Sequence, residues 1–168
     1  IAALGTMAHS WVQMYPDEYS AFKKYAEIYP QNCVLLVDTY NVLKSGVPAA
    51  IKVFKEMKPQ SMGIRIDSGD VAYLTKKARK MLDDAGLQDC KIVVSNSLDE
   101  YIIRDVILEG ACIDSLGVGE RLITAKSEPV FGGVYKLAAV EDENGNVIPK
   151  IKVSENVEKI TIPHFKKV

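Results

Sequence analysis

Residues 63–70, Gly-Ile-Arg-Ile-Asp-Ser-Gly-Asp, hold the densest set of chemically capable side chains in this sequence. Ile64 and Ile66 alternate with Arg65 and Asp67, as in a short strand, and a helical pattern follows Ser68-Gly69-Asp70 at once. A cation, two carboxylates and a hydroxyl therefore gather where a strand becomes a helix, which in α/β folds is where ligands bind. Arg65 and Asp67 point the same way from a strand, so either a salt bridge or a shared ligand explains the pair. Asp70 reads better as a helix N-terminal acid favoured by the helix dipole. The whole segment suits a polar, phosphorylated small molecule.

Other segments offer related chemistry. His9 lies among small residues in Gly5-Thr6-Met7-Ala8-His9-Ser10-Trp11. That setting suits an exposed imidazole acting as acid, base or phosphoryl acceptor; by spacing alone, a structural histidine is the commoner case. Ser95-Asn96-Ser97 and Gly117-Val118-Gly119 follow two further apolar runs. The paired glycines would let backbone amides approach a phosphate, or simply make a tight turn. Asp38 alone reads equally as a turn cap or a ligand contact. No GxxxxGK[ST] loop, no GxGxxG after a strand and no metal-ligand cluster is present.

The elements that must position these residues are legible as apolar runs. Cys33–Val37, Met62–Ile66, Lys91–Val94 and Ile113–Leu116 each read as a buried strand ending in small or polar residues. Separated by helices, they imply a parallel sheet covered on both faces. Helical stripes run through Tyr19, Phe22, Ala26 and Tyr29, then through Ile51, Phe54 and Met57 after Pro48. A longer stripe joins Val71, Leu74, Ala78, Leu82 and Ala85 and closes at Gly86. Ser97-Leu98-Asp99-Glu100 reads as a capping box with Ser97 as the cap, opening a helix through Ile103, Val106 and Ile107 that ends near Gly110. Beyond Phe131 the pattern changes to a hairpin: a strand over 134–140, a turn at Asn144-Gly145, and a returning strand over 147–153. The strand tips would share one face of a parallel barrel.

Length and composition set bounds. A chain of 168 residues supports one ordinary core, whereas a closed (β/α)₈ barrel takes about 250 residues. The sequence begins without Met and enters an apolar segment with no cap, so it is expected to be an internal piece of something longer. A net charge of −1 provides no basic field for nucleic acid or anionic lipid. No apolar run has the length of a membrane span. Cys33, Cys90 and Cys112 fit neither a disulfide framework nor zinc, and read as reduced, mostly buried thiols of a cytosolic protein. The basic run from Lys76 to Lys80 is most simply the wet face of a helix.

Taken together, Gly5–Ser10, Leu36–Tyr40, Gly63–Asp70, Ser95–Glu100, Gly117–Gly119 and Phe131–Leu137 closely resemble the nicotinate phosphoribosyltransferase family, in order along nearly the whole chain. The resemblance implies an irregular α/β barrel of the type II phosphoribosyltransferase kind. Residues 1–130 would form part of that catalytic barrel, and 131–168 a hairpin and tail leading into a second domain. It implies joining of nicotinate to 5-phosphoribosyl 1-pyrophosphate, giving nicotinate mononucleotide and pyrophosphate in NAD salvage. ATP is the implied co-substrate, and Mg²⁺ accompanies phosphoribosyl pyrophosphate. The implied full-length enzyme is a cytoplasmic homodimer with no nucleic-acid or membrane partner.

Residue by residue, the resemblance makes His9 the histidine that ATP phosphorylates and Asp67 the carboxylate facing the ribose hydroxyls. Thr6 lies near nicotinate, and Arg65 holds the pyridine carboxylate or a neighbouring phosphate. Ser95, Asn96 and Ser97 lie where ribose and 5′-phosphate are cradled, and Gly117 and Gly119 supply the phosphate loop. Glu120 stands where many relatives carry Thr, and Pro163 precedes His164 where a Pro-Gly is common, so no contact is transferred at either place. Family residues that reach nicotinate from the N-terminal side are outside the sequence. A nicotinamide-specific relative is the second enzyme reading, and an inactive ligand-binding segment is the non-enzyme one.

Overall fold

A computed structural model of the chain describes residues 6–124 and 135–153. Four strands, β1 (Cys33–Leu36), β2 (Met62–Ile66), β3 (Lys91–Val94) and β4 (Ser115–Leu116), form one parallel sheet in chain order. Helices α1 (His9–Gln13) and α2 (Glu18–Ile28) precede β1. Then α3 (Val47–Met57), α4 (Val71–Asp84) and α5 (Glu100–Leu108) alternate with the strands, and α6 (Glu120–Ile123) follows β4. A separate antiparallel hairpin, β5 (Ala139–Glu141) and β6 (Val147–Pro149), completes an α/β architecture.

The apolar runs of β1, β2 and β3 became the expected strands because their apolar side chains are largely removed from water on both faces. Leu35, Leu36, Ile64, Ile66, Ile92 and Val94 are all fully buried. They pack against Phe22, Val53, Phe54, Ala78 and Leu82 from the helices. Helix α4 takes its cap from Asp70, whose carboxylate accepts from Tyr73 N at 2.9 Å, as expected of that acid. It ends in a Schellman motif: Leu87 N bonds Leu82 O, Gly86 N bonds Asp83 O, and Gly86 has φ +79°.

Several boundaries differ from expectation. Helix α5 is capped by Asp99, whose carboxylate accepts from Tyr101 N and Ile102 N, and not by Ser97. Ser97 sits two residues earlier with φ +43°, outside the helix, so the capping-box pattern is two residues out of register. Strand β4 begins at Ser115 rather than Ile113. The Asp114 carboxylate intervenes there, accepting from Ile92 N at 2.9 Å in place of a ladder carbonyl. Of the strand expected over 134–140, residue 134 lies outside the described residues and the described part is strand only from Ala139, running to Glu141, while the returning strand ends at Pro149.

One turn was not foreseen. Val42–Gly46 form a π-helical turn ahead of α3, capped by the Asn41 side chain on Lys44 N. The turn feeds straight into α3 at Val47. The sheet-facing residues of α3 are therefore Val47, Ala50, Val53 and Phe54, while Ile51 and Met57 are only partly buried. All three thiols are free, Cys33 and Cys90 being buried. Burial pushes both of those thiols up to about 12, so they stay protonated. His164 lies outside the described residues.

Candidate active site

The sheet register brings the strand tips into a row. Leu36 pairs with Arg65, Ile66 with Val94, and Val94 with Leu116. Continuing each pairing beyond the strand ends sets Asp38, Asp67, Ser95 and Gly117 side by side. Parallel strands end their ladders on the same side, so their first polar residues face one another there.

Hydrogen bonds knit this row together. Ser95 Oγ accepts from Arg65 Nε at 2.7 Å and donates to Asp67 Oδ1 at 2.7 Å. Arg65 Nη1 donates to Thr6 Oγ1 at 2.9 Å. Asp38 Oδ2 accepts from Asp67 N at 3.1 Å and from Ser68 Oγ at 2.5 Å. The imidazole of His9 sits over these groups. Its Nδ1 shares a hydrogen bond with Thr39 Oγ1 at 3.1 Å. Its Nε2 lies 3.7 Å from Asp38 Oδ1 and 3.9 Å from Asp67 Oδ2.

The ring is not as open as the small neighbouring residues led us to expect, since the His9 side chain is only 20% exposed. Burial lowers its pKa below the ordinary 6.5, and the Asp38 and Asp67 carboxylates oppose that shift without overcoming it. The cations Lys152 and Arg65 push in the same direction as burial. A neutral imidazole at pH 7 keeps a lone pair, which a nucleophile needs.

A cavity of about 470 Å³ opens beside this cluster. Thr6, His9, Arg65, Asp67 and Ser68 line one side, and Tyr135, Lys136 and Lys152 from the hairpin arms line the other. The site therefore mixes carboxylates with guanidinium and ammonium groups around a space the size of a small-molecule pocket. Among the described residues no group of three or more His, Cys, Asp or Glu is arranged to hold a metal. No helix of the described residues is long and apolar enough to cross a membrane.

Of the residues singled out from sequence, the structure joins Thr6, His9, Arg65, Asp67 and Ser95 in one network. Asn96 and Ser97 lie on the turn after β3 and do not line the cavity, and neither do Gly117 or Gly119. Sequence reasoning undervalued Asp38, whose side chain is 1% exposed and whose Oδ1, facing His9, accepts no hydrogen bond among the described residues. The available signal was its place after a buried strand, the same place Asp67 holds. It also passed over Lys136 and Lys152, whose approach to His9 depends on how the hairpin folds back.

A scan against protein-family models finds no match. By sequence the chain is 55% identical over 170 residues to the nicotinate phosphoribosyltransferase of Bacillus subtilis (strain 168), covering 100% of this chain and 34% of that protein. It is 40% identical over 157 residues to the nicotinate phosphoribosyltransferase of Dictyostelium discoideum, covering 88% of this chain and 26% of that protein. The crystal structure of nicotinate phosphoribosyltransferase from Porphyromonas gingivalis superposes with a TM-score of 0.70 over 94% of this chain and 43% of that one. At 22% identity that likeness speaks for the fold alone. The chain spans about a third of the length of the Bacillus subtilis relative or less of the others named here by sequence. By sequence it belongs to the nicotinate phosphoribosyltransferase family.

Proposed function

We propose that the protein carrying this segment joins nicotinate to 5-phosphoribosyl 1-pyrophosphate, releasing pyrophosphate, with ATP hydrolysis coupled to the step. The observation that carries this reading is the meeting of the His9 imidazole, the Asp67 carboxylate and the Arg65 guanidinium in one small-molecule cavity. The sequence relatives bear that activity in their names.

In this reading a ring nitrogen of His9 attacks the γ-phosphorus of ATP, and ADP leaves. The phosphohistidine adds negative charge, which Lys152 and Arg65 are close enough to offset. Asp67 hydrogen-bonds the ribose hydroxyls and stabilises positive charge at C1 as the bond to pyrophosphate breaks. The nicotinate nitrogen then closes the new bond to C1, and water attacks the phosphohistidine phosphorus, releasing phosphate and restoring the His9 imidazole. Arg65, held flat by Thr6 and Ser95, offers its fork to the pyridine carboxylate. Ser95, Asn96, Ser97, Gly117 and Gly119 lie toward ribose and phosphate. Any Mg²⁺ enters bound to phosphoribosyl pyrophosphate, as substrate.

The parallel sheet is read as part of an irregular (β/α) barrel. Residues 1–130 belong to that barrel and 131–168 lead into a second domain. The complete enzyme is read as a cytoplasmic homodimer whose product enters NAD synthesis.

The test supplies the longer protein with nicotinate, phosphoribosyl pyrophosphate and ATP. Nicotinate mononucleotide should form, nicotinamide should compete poorly, and labelled ATP should leave an acid-labile phosphate that His9→Ala lacks. No mononucleotide from the wild type, or His9→Ala behaving like it, would refute the reading. The 168-residue chain by itself should show no turnover.

A further inference from the structure

Ser95 stands between two opposite charges that do not themselves hydrogen-bond. Its single hydroxyl proton goes to Asp67 Oδ1, and its lone pair takes Arg65 Nε–H, both at 2.7 Å. Arg65 Nη2 lies 3.6 Å from Asp67 Oδ1, beyond hydrogen-bond range. A guanidinium and a carboxylate this near would ordinarily close into a two-pronged pair. Such a pair would take the Nε/Nη2 edge of the guanidinium and turn both carboxylate oxygens toward it. The serine hydroxyl satisfies one edge of each and keeps them apart.

Gly117 is the next residue in the same row. A Cβ there would lie 3.0 Å from Ser95 Cβ and 3.7 Å from Ser95 Cα. The backbone at 117 cannot draw back, because its N–H is bonded to Val94 O at 2.8 Å. Turning the side chain leaves Ser95 Cβ where it is, so the main chain at 95 would have to give by a few tenths of an ångström, and that shift carries Oγ off its two 2.7 Å hydrogen bonds. Gly119 differs, since nothing lies within 4 Å of where its Cβ would be.

We infer that Ser95 is a positioning residue that holds Arg65 and Asp67 side by side without a direct hydrogen bond between them, and that position 117 is glycine to leave Ser95 that place. The two glycines of the Gly117-Val118-Gly119 motif therefore differ: a side chain at 117 meets Ser95, whereas one at 119 meets nothing within 4 Å. The inference rests on the proposed reaction for its kinetic consequences, but its geometry can be read without turnover.

Crystal structures of the longer protein carrying Ser95→Ala or Gly117→Ala should show Arg65 Nη2 and Asp67 Oδ1 closing from 3.6 Å to hydrogen-bond distance. An unchanged separation in Ser95→Ala overturns the inference whether or not the enzyme is active. In kinetics, both variants should lower kcat and raise the KM for nicotinate together, with kcat/KM falling on the order of 10²-fold. In a crystal structure Gly119→Ala should leave the Arg65 Nη2–Asp67 Oδ1 separation at 3.6 Å, because a Cβ there meets nothing within 4 Å. Placing Gly117→Ala in a Ser95→Gly background should add almost nothing, because both the relay and the crowded Cβ are already gone. A full penalty persisting there, or one confined to the KM for phosphoribosyl pyrophosphate, would make Gly117 a phosphate ligand instead. Unfolding midpoints of each variant separate these effects from loss of fold. A wild-type enzyme without turnover would defeat the proposed reaction alone.

Discussion

The two ends of the sheet are built differently. Around β1, β2 and β3 the strands are sealed, with Leu35, Leu36, Ile64, Ile66, Ile92 and Val94 fully buried under α2, α3 and α4. Among the described residues the β4 end is more open. Helix α5 has no fully buried residue, both residues of β4 are exposed, and Leu122 and Ile123 of α6 are 73% and 84% exposed. Asp38, Arg65, Asp67 and Ser95 of the network at His9 follow or belong to the sealed strands, while Lys152 comes from the hairpin. Preorganisation of charge needs a rigid support, and the chain places the two together.

This contrast can be broken most directly in the core. Phe54→Ala, at 1% exposure on α3, should cost about 3–5 kcal/mol in denaturant unfolding. Leu122→Ala at the open end should stay within about 0.5 kcal/mol. Similar costs at the two sites would mean that the open end is in fact packed. Next in size, Asp67→Asn in the longer protein should lower kcat by about 10²–10³-fold with little change in substrate affinity. If only KM rose, Asp67 would be a ground-state contact and the sealed support would matter less for chemistry.

A smaller effect compares two caps of similar geometry. Asp70→Ala on α4 and Asp99→Ala on α5 each remove an acceptor worth about 1 kcal/mol. Because α4 belongs to the sealed core, its loss should appear in the global unfolding midpoint. The loss at α5 should appear mainly as faster local hydrogen exchange over 100–108.

The smallest is a titration. His9 has its folded pKa below 6.5, so below about pH 6.5 the unfolded chain binds the proton more readily. Its contribution to stability is therefore present above that pH and is lost as pH falls through the lowered folded value. An NMR midpoint for His9 above 6.5 would show that Asp38 and Asp67 outweigh burial.

The sealed end was also the legible end. Continuous apolar runs with polar stops identified β1, β2 and β3 because burial on both faces leaves no room for alternation. The stripe from Val71 to Leu82 located α4, and Asp70 was read as an acid at its N-terminus, where it caps the helix. Legibility failed where one side chain competes with another for the same backbone groups. Ser97 and Asp99 both suit an N-cap, and only geometry shows that Asp99 holds the amides. Asp114 replaced a ladder acceptor and shortened β4. In the site, the strand–helix junction disclosed Arg65 and Asp67. The row Asp38–Asp67–Ser95–Gly117 depends on the offsets between paired strands, which no spacing within one segment reveals. Lys136 and Lys152 were invisible for a similar reason: they reach the cavity only through the fold of the hairpin.

The π-helical turn before α3 has its own bearing on the cavity. A Cβ at Gly46 would fall 2.0 Å from the carbonyl oxygen of Val37, the residue directly before Asp38. The floor beneath that carboxylate is thus bare main chain resting on main chain, and its height is set by one absent methyl group. A substitution at 46 would tilt the floor and carry Asp38 away from the imidazole. It would read in an assay like damage to the histidine, at a position with no ionisable group to draw the eye.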